Sequence, residues 1–422
     1  MRELYDRGHV QIQNLLANAR RQADERAYHD FPIVDVDSHH YEDRRWGEIL
    51  PFIEDDQIRD WVLSMTRRAG RGATITSSQI GNQEVAGRIL RSGHQISDAA
   101  ESAARKDHHP DMARMLWAMD MMSIDYTVMF PTPMLHLSLH PAHEVEVALA
   151  RAYTKWLTTQ LLPQDDRVKT FVYLPFNDPA ESLKFVHEFA DTPGVLGFMV
   201  TSVRYRPVHA NEYAPVYAAI QETGKTLAFH AGYNWHDQSL SQLNKFISAH
   251  ALGFTVTNMI HLTNMIVNAI PERFPRLKLM WLESGVAWIP FMMQRLDNEY
   301  LMRTSECPGL TKLPSDYMRD MHFSTQPMEQ TGTNAHMLEA TFDLIDAENT
   351  LIYTSDYPHW DFDTPSVIYD LPFLSEKAKR SILGGNACRL FGLSPEKRAP
   401  KSAEEAGLDR HFPAVEAEAT LS

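Results

Sequence analysis

Short apolar runs alternate with longer stretches of helical period along most of this chain. The runs are 32-PIVDVD-37, 126-YTVMFP-131, 169-KTFVYLP-175, 195-VLGFMVT-201, 226-TLAFHAG-232, 277-LKLMWLE-283, 319-RDMHFST-325 and 350-TLIYTSD-356. Most are near-continuous apolar runs rather than strict alternations of apolar and polar positions. Strands of that kind are buried on both faces, the state of a parallel sheet covered by helices. Helical patterns fill the gaps, over 111–122, 142–162, 179–190, 212–223, 250–270, 286–304, 334–345 and 375–392. Within 142–162, Leu149, Tyr153, Trp156, Leu157 and Leu161 share one side, a stripe read as core or interface. Eight strand–helix units predict an α/β protein of the (β/α)8 TIM barrel class. An open doubly wound sheet would carry a glycine-rich phosphate turn after an early strand, and neither GxGxxG nor GxxxxGK[ST] is present.

Some segments fall outside the repeat. Residues 1–30 read as an N-terminal helical extension, the barrel runs over 31–395, and 396–422 form a charged C-terminal tail. Residues 43–110 are a long insertion after strand one, with the polar, glycine-containing stretch 69-AGRGATITSSQIGNQ-83 inside it. A loop there lies on the catalytic side of a barrel, so a lid or an oligomer arm is expected.

Composition removes several classes of function. The 422 residues are 44% hydrophobic and 23% charged, ordinary for a globular protein. The net charge of −15 argues against nucleic acid as a partner, because phosphate binding needs a basic face. No apolar run is long enough for a membrane span, and the first thirty residues lack a secretory core, so the cytoplasm is the expected compartment. Two distant cysteines, Cys307 and Cys388, exclude a disulfide scaffold and a cysteine zinc cluster. Twenty histidines raise the question of a metal or acid/base site.

Active-site groups of a barrel sit at the carboxyl ends of its strands. Strand one ends 35-DVDSHHYE-42, where Asp37 and His39, two apart, point to the same side. Strand five delivers His230, strand six Glu283 and strand eight Asp356. Singly, each has an ordinary structural role: a turn cap, a core histidine, a loop acid. Five imidazole and carboxylate groups at four strand ends instead point to one divalent metal ion, zinc or manganese, with a position left open. His261, mid-helix among apolar neighbours, reads as a packing histidine. Candidates around the centre are His136 and His140 after strand two, Arg204 after strand four, Tyr233, Trp235 and His236 after strand five, and His359 after strand eight. Arg204 could pair a substrate carboxylate in bidentate geometry. The aromatic residues suit a flat, unsaturated substrate.

The stretches 35-DVDSHHYE-42, 229-FHAG-232, 274-FPRLKLMWLESGVAWIP-290, 355-SDYPHWD-361 and 385-GNACRLFGL-393 resemble the amidohydrolase-related proteins of the aminocarboxymuconate-semialdehyde decarboxylase type, a group that includes γ-resorcylate and carboxyvanillate decarboxylases. The resemblance runs from about residue 31 to 393 and implies the same barrel. It assigns Asp37, His39, His230 and Asp356 to a mononuclear metal site, with Asp37 standing where relatives usually carry histidine or glutamate. Glu283 stands where they commonly carry an acid/base histidine, and could transfer a proton, ligate or orient a water. The resemblance implies a nonoxidative decarboxylase of an aromatic or unsaturated carboxylic acid, with Asp356 as proton carrier and Glu283 and His230 as further catalytic groups. Hydrolysis of a C–C or C–N bond by metal-activated water is the alternative. An inactive metal-binding barrel with a structural or regulatory role is the second. A small carboxylic acid is the expected partner, and a homodimer the expected assembly.

Overall fold

The computed structural model joins eight parallel strands in the order β1 to β8. It describes residues 12–69, 107–232 apart from 205, 240–329 apart from 241, 244 and 245, 335–400 apart from 360, and residue 405. The strands are β1 Val34–His40, β2 Tyr126–Pro131, β3 Val168–Tyr173, β4 Val195–Thr201, β5 Thr226–His230, β6 Lys278–Leu282, β7 His322–Ser324 and β8 Leu351–Ile352. The last two are shorter than the apolar runs that predicted them. In both, the chain leaves the ladder early to carry polar groups into the barrel mouth. Closure between the first and last strands comes from Val36 N donating to Tyr353 O at 3.1 Å, and from a bridge between Ser38 and Tyr357. The main helices are α1 Ile12–Glu25, α2 Asp56–Ala69, α3 Pro110–Met122, α4 His143–Trp156, α5 Pro179–Phe189, α6 Ala214–Thr223, α7 Phe246–Val267, α8 Trp288–Met302 and α9 Ala335–Ile345.

Local chemistry sets the boundaries. α5 starts with Pro179 at its first turn, and the Asp178 carboxylate accepts from Glu181 N at 3.0 Å, satisfying a donor the helix cannot. α6 ends at Gly224, whose φ of 69° suits a residue without a Cβ. The stripe on α4 is buried and continues into a π-helical turn over Leu157–Leu161, so it is core.

The barrel's amino-terminal end is sealed by both extensions. α1 buries Leu16, Ala19 and Ala23, and Arg20 donates to Asp120 O at 3.0 Å. The start of the tail is fixed by the buried Asp125 carboxylate. One oxygen accepts from Arg398 N and Ala399 N, the other from Ile33 N at 2.7 Å and Lys397 Nζ at 2.8 Å. Residues 70–106 of the insertion lie outside the described residues. Among those described, no helix is long and apolar enough to cross a membrane.

The segment 376–391 crosses under the start of β1 at Gly384. A Cβ there would lie 2.1 Å from Pro32 O. Overpacking of this kind costs about 1–3 kcal/mol. Gly384→Ala should therefore lower the thermal midpoint measurably, and an unchanged midpoint in calorimetry would show that the crossing relaxes freely.

Candidate metal centre at the carboxyl end of the barrel

Four strand ends deliver the candidate groups. His39 pairs in register with Phe130 on β2, and His230 closes β5 opposite Thr201 and Leu282. Between Asp35 and Ser38 the register of β1 against β2 shifts by one residue, a bulge of the kind that re-aims a side chain. Asp37 lies in it. Asp356 follows β8, with its N–H on Asp37 O at 2.7 Å, while His39 N donates to Tyr357 O at 2.6 Å. Strand one thus holds the turn that carries Asp356.

Both acids at the ends of β6 and β8 sit in the left-handed backbone region, Glu283 at φ 57° and Asp356 at φ 61°. Side chains other than glycine's visit it at a cost, and such strain concentrates where function demands one orientation.

Among the described residues His39 is shared by two sets of potential metal ligands, Asp37 with His39 and His230, and His39 with Asp356 and His359. His39 Nε2 lies 3.1 Å from Asp37 Oδ1 and 3.2 Å from Asp356 Oδ1, and His230 Nε2 lies 3.3 Å from Asp37 Oδ1 and 3.2 Å from His39 Nε2. All four are buried. The other ring nitrogens are committed: His39 Nδ1 to Pro131 O and His230 Nδ1 to Ala231 O, each at 3.0 Å. A carbonyl only accepts, so both Nδ1 atoms carry the hydrogen and both Nε2 atoms face the centre. His39 Nε2 thus faces Asp37 Oδ1 and Asp356 Oδ1, and His230 Nε2 faces Asp37 Oδ1.

That arrangement calls for positive charge. Burial pulls the His39 imidazole down, but Asp356 and Asp37 outweigh it and raise it to about 10. Burial pushes Asp37 up, yet His230 and His39 hold it below the usual carboxylate range. One proton can bridge one contact, whereas a divalent cation satisfies several donors at once. Ligands about 2.1 Å from a metal are about 3.0 Å apart at right angles and about 3.4 Å apart at the tetrahedral angle. The observed separations of 3.1–3.3 Å fall in that interval. Asp37 Oδ2 and Asp356 Oδ2 are buried without a hydrogen-bond partner among the described residues. The donor set fits a divalent ion.

Glu283 stands beside this group. Its Oε2 is 3.4 Å from His230 Nδ1, a nitrogen whose hydrogen already serves Ala231 O. Burial, then the carboxylates of Asp356, Asp37 and Asp361, push Glu283 well above the usual range. His359 is closer to the chemistry than a pocket-lining residue. Its Nδ1 is 2.7 Å from Asp356 Oδ1, its Nε2 3.2 Å from Thr132 Oγ1, and its ring stacks on His39 with centroids 4.3 Å apart. Burial pushes Asp356 up, but His359 and His39 hold it below the usual range. Thr132 is held by Glu42, a fully buried carboxylate that accepts from Thr132 N at 2.9 Å and Met134 N at 2.6 Å.

Other expected contacts are not formed. Arg204 is not turned to the cluster. Its guanidinium lies 4.4 Å over the Phe176 ring and donates to Phe176 O, Arg206 O and Tyr213 Oη, so it braces the β4 loop rather than awaiting a carboxylate. His140 accepts from Ala142 N at 3.1 Å and faces Trp61, and the half-buried His136 lies on the turn Pro133–Leu139; both fall outside the ligand groups. Tyr233, Trp235 and His236 lie outside the described residues. His261 is buried and donates to Ser202 O at 2.7 Å, a packing role. An open surface cleft of about 490 Å³, lined by Phe52, Ile58, Val147 and Arg151, contains none of the cluster residues.

The support around the ligands escaped sequence reasoning. Asp35 accepts from Ser355 N at 2.8 Å, Ser355 Oγ at 2.5 Å and Asp37 N at 3.2 Å, tying strand one to the turn that carries Asp356. Its position, two before Asp37, was the available signal.

Known proteins share this architecture. The γ-resorcylate decarboxylase of a Polaromonas species is 20% identical over 255 residues, covering 58% of this chain and 76% of the relative. A 5-carboxyvanillate decarboxylase from Novosphingobium aromaticivorans, solved with manganese and a nitrobenzoic acid, superposes with a TM-score of 0.62 at 18% identity, over 86% of this chain and 96% of that one. A dihydroxybenzoic acid decarboxylase from Polaromonas, solved with manganese and 2-nitroresorcinol, gives 0.58 at 17% identity, over 88% and 98%. At these identities the superpositions show a shared fold. The amidohydrolase family model matches residues 92–393, most of the chain, and this protein belongs to the amidohydrolase family.

Proposed function

We propose that this protein is a metal-dependent nonoxidative decarboxylase of a small aromatic or unsaturated carboxylic acid. The observation that carries the reading is the buried cluster at the strand ends, where His39 Nε2 lies 3.1 Å from Asp37 Oδ1 and 3.2 Å from Asp356 Oδ1 and His230 Nε2 lies 3.3 Å from Asp37 Oδ1. Relatives and structural neighbours that are named as decarboxylases of hydroxylated aromatic acids support it.

In this reading Asp37, His39, His230 and Asp356 hold one divalent ion, manganese or zinc. When bound, the ion supplies positive charge that grips and polarises the substrate's oxygens. The chain's residues do the rest. Asp356 Oδ2, buried and without a hydrogen-bond partner among the described residues, is the oxygen able to carry a proton to the ring carbon. The His359 Nδ1–H fixes the other oxygen. The new C–H bond takes the proton, the C–C bond to the carboxylate breaks, and its electron pair restores the ring as carbon dioxide leaves. Glu283, pushed above the usual carboxylate range by burial and the neighbouring carboxylates, lies beside His230 as a second proton carrier.

The test is carbon dioxide release from hydroxybenzoates and muconate-like acids by manganese- or zinc-loaded protein. Release from at least one is expected. Hydrolysis of amide or C–C substrates, with no decarboxylation across the panel, would overturn the reading. We place the enzyme in the cytoplasm, in keeping with its free thiols, and expect a homodimer. Exposed Ile260, Phe291 and Met337 on α7, α8 and α9 support pairing, and a monomer mass in light scattering at micromolar protein would oppose it.

A further inference from the structure

The turn after β2 is capped in a way that leaves one hydroxyl for the site. Thr132 stands at the N-cap of the turn Pro133–Leu139, where a threonine oxygen ordinarily accepts from an N–H two or three residues on. It makes no such bond. Glu42, from the segment after β1, takes that part: its Oε1 accepts from Met134 N at 2.6 Å and its Oε2 from Thr132 N at 2.9 Å. The Thr132 hydroxyl turns instead to His359, with Oγ1 3.2 Å from Nε2. The other ring nitrogen, Nδ1, is 2.7 Å from Asp356 Oδ1. The ring lies against His39 with centroids 4.3 Å and planes 26° apart, and Tyr41 meets it in a T-shaped contact at 6.2 Å. His359 is thus held by both nitrogens and by both neighbouring rings.

Counting hydrogens fixes the direction of both bonds. A carboxylate only accepts, so Nδ1 carries the hydrogen while Asp356 is ionised. A second hydrogen on Nε2 would make an imidazolium, which a divalent ion at Asp356 disfavours. Nε2 therefore accepts, and the Thr132 hydroxyl donates to it. In the reverse sense the hydroxyl hydrogen would have no acceptor among the described residues. Asp356 enforces this tautomer only while it is ionised. Once it holds a proton, a hydrogen on Nε2 would leave Nδ1 free to draw that proton to Oδ1. Oδ2, the oxygen assigned to proton transfer, would then be bare. Thr132 opposes the exchange, because its own hydrogen needs the Nε2 lone pair.

We propose that Thr132 is a positioning residue of the reaction, whose hydroxyl holds His359 in the Nδ1–H form and so keeps the proton of Asp356 on the oxygen that delivers it. This rests on the decarboxylase reading and deepens it. Thr132 reaches Asp356 only through His359. Its substitution therefore leaves the ion in place and acts on turnover rather than on substrate binding.

The experiment separates the hydroxyl from the shape of the side chain. Thr132→Val keeps the β-branch and removes the hydroxyl, whereas Thr132→Ser keeps the hydroxyl. Thr132→Val is also made together with His359→Phe, which keeps a ring and removes both nitrogens. Full-length, manganese-loaded proteins are assayed for metal content, kcat and KM with whichever hydroxybenzoate or muconate-like acid the wild type decarboxylates. Thr132→Val should lower kcat about tenfold, the worth of a hydrogen bond to a buried group, with KM and manganese content within about twofold of the wild type. Thr132→Ser should bring kcat back to within about threefold. On the His359→Phe background, Thr132→Val should change kcat by less than about twofold, because the group it acts through is gone. An unchanged kcat in Thr132→Val, a loss that Thr132→Ser shares in full, or an equal loss on the His359→Phe background overturns the proposal and leaves the decarboxylase reading intact. If the wild type releases carbon dioxide from no acid in the panel, both fall.

Discussion

Asp356→Asn should give a folded protein that keeps much of its metal and loses about two to four orders of magnitude in turnover, the usual contribution of a positioned acid/base. The amide is nearly isosteric, so the left-handed turn at φ 61° and the Asp37 O contact can persist. Asparagine tolerates that backbone region as well as aspartate does. His359 still finds an oxygen for its Nδ1–H, and His39 still faces a donor oxygen. What disappears is the ability of the second oxygen to carry a proton. Melting temperature, metal content and single-turnover rate measured on the same preparation separate these effects. A variant that turned over an identified substrate at near wild-type rate would pass the proton role to Glu283, whose carboxyl lies 3.4 Å from His230.

The second large effect is expected at His230. His230→Ala removes one of the two imidazoles and leaves His39 alone between two carboxylates. Even groups that merely support a metal ligand cost 10–100-fold in affinity when changed, and a ligand itself should cost about 100-fold or more. Dialysis against a chelator should strip His230→Ala at concentrations that leave the wild type loaded, with turnover falling in step. Glu283→Gln is the matched control, since Glu283 belongs to neither group of potential ligands and should retain the ion. If both variants held metal equally well, His230 would not be a ligand.

The barrel was legible because its strands are buried on both faces and so read as near-continuous apolar runs. The errors fall where that signal ends. The runs 319–325 and 350–356 predict full strands, but the ladder contains only His322–Ser324 and Leu351–Ile352. Apolar content marks burial, not hydrogen bonding, and Tyr353 and Thr354 are buried without extending the strand. The candidate ligands were legible through position, at the ends of strands one, five and eight. Their supports were not. Asp35, Glu42 and Asp125 are buried carboxylates whose partners are backbone N–H groups and side chains up to hundreds of residues away, and no local pattern announces such a contact. Arg204 shows the opposite failure. An arginine at a strand end is equally suited to a substrate carboxylate and to three protein oxygens, and only its surroundings show which it has.

The most direct test of the account is the number and position of metal ions in the purified protein, read by elemental analysis and by anomalous diffraction. The account predicts about one divalent ion per chain, with its peak bounded by His39 Nε2, His230 Nε2, Asp37 and Asp356. Two ions, a peak elsewhere, or a site that stays metal-free when manganese and zinc are offered at saturating concentration would contradict it.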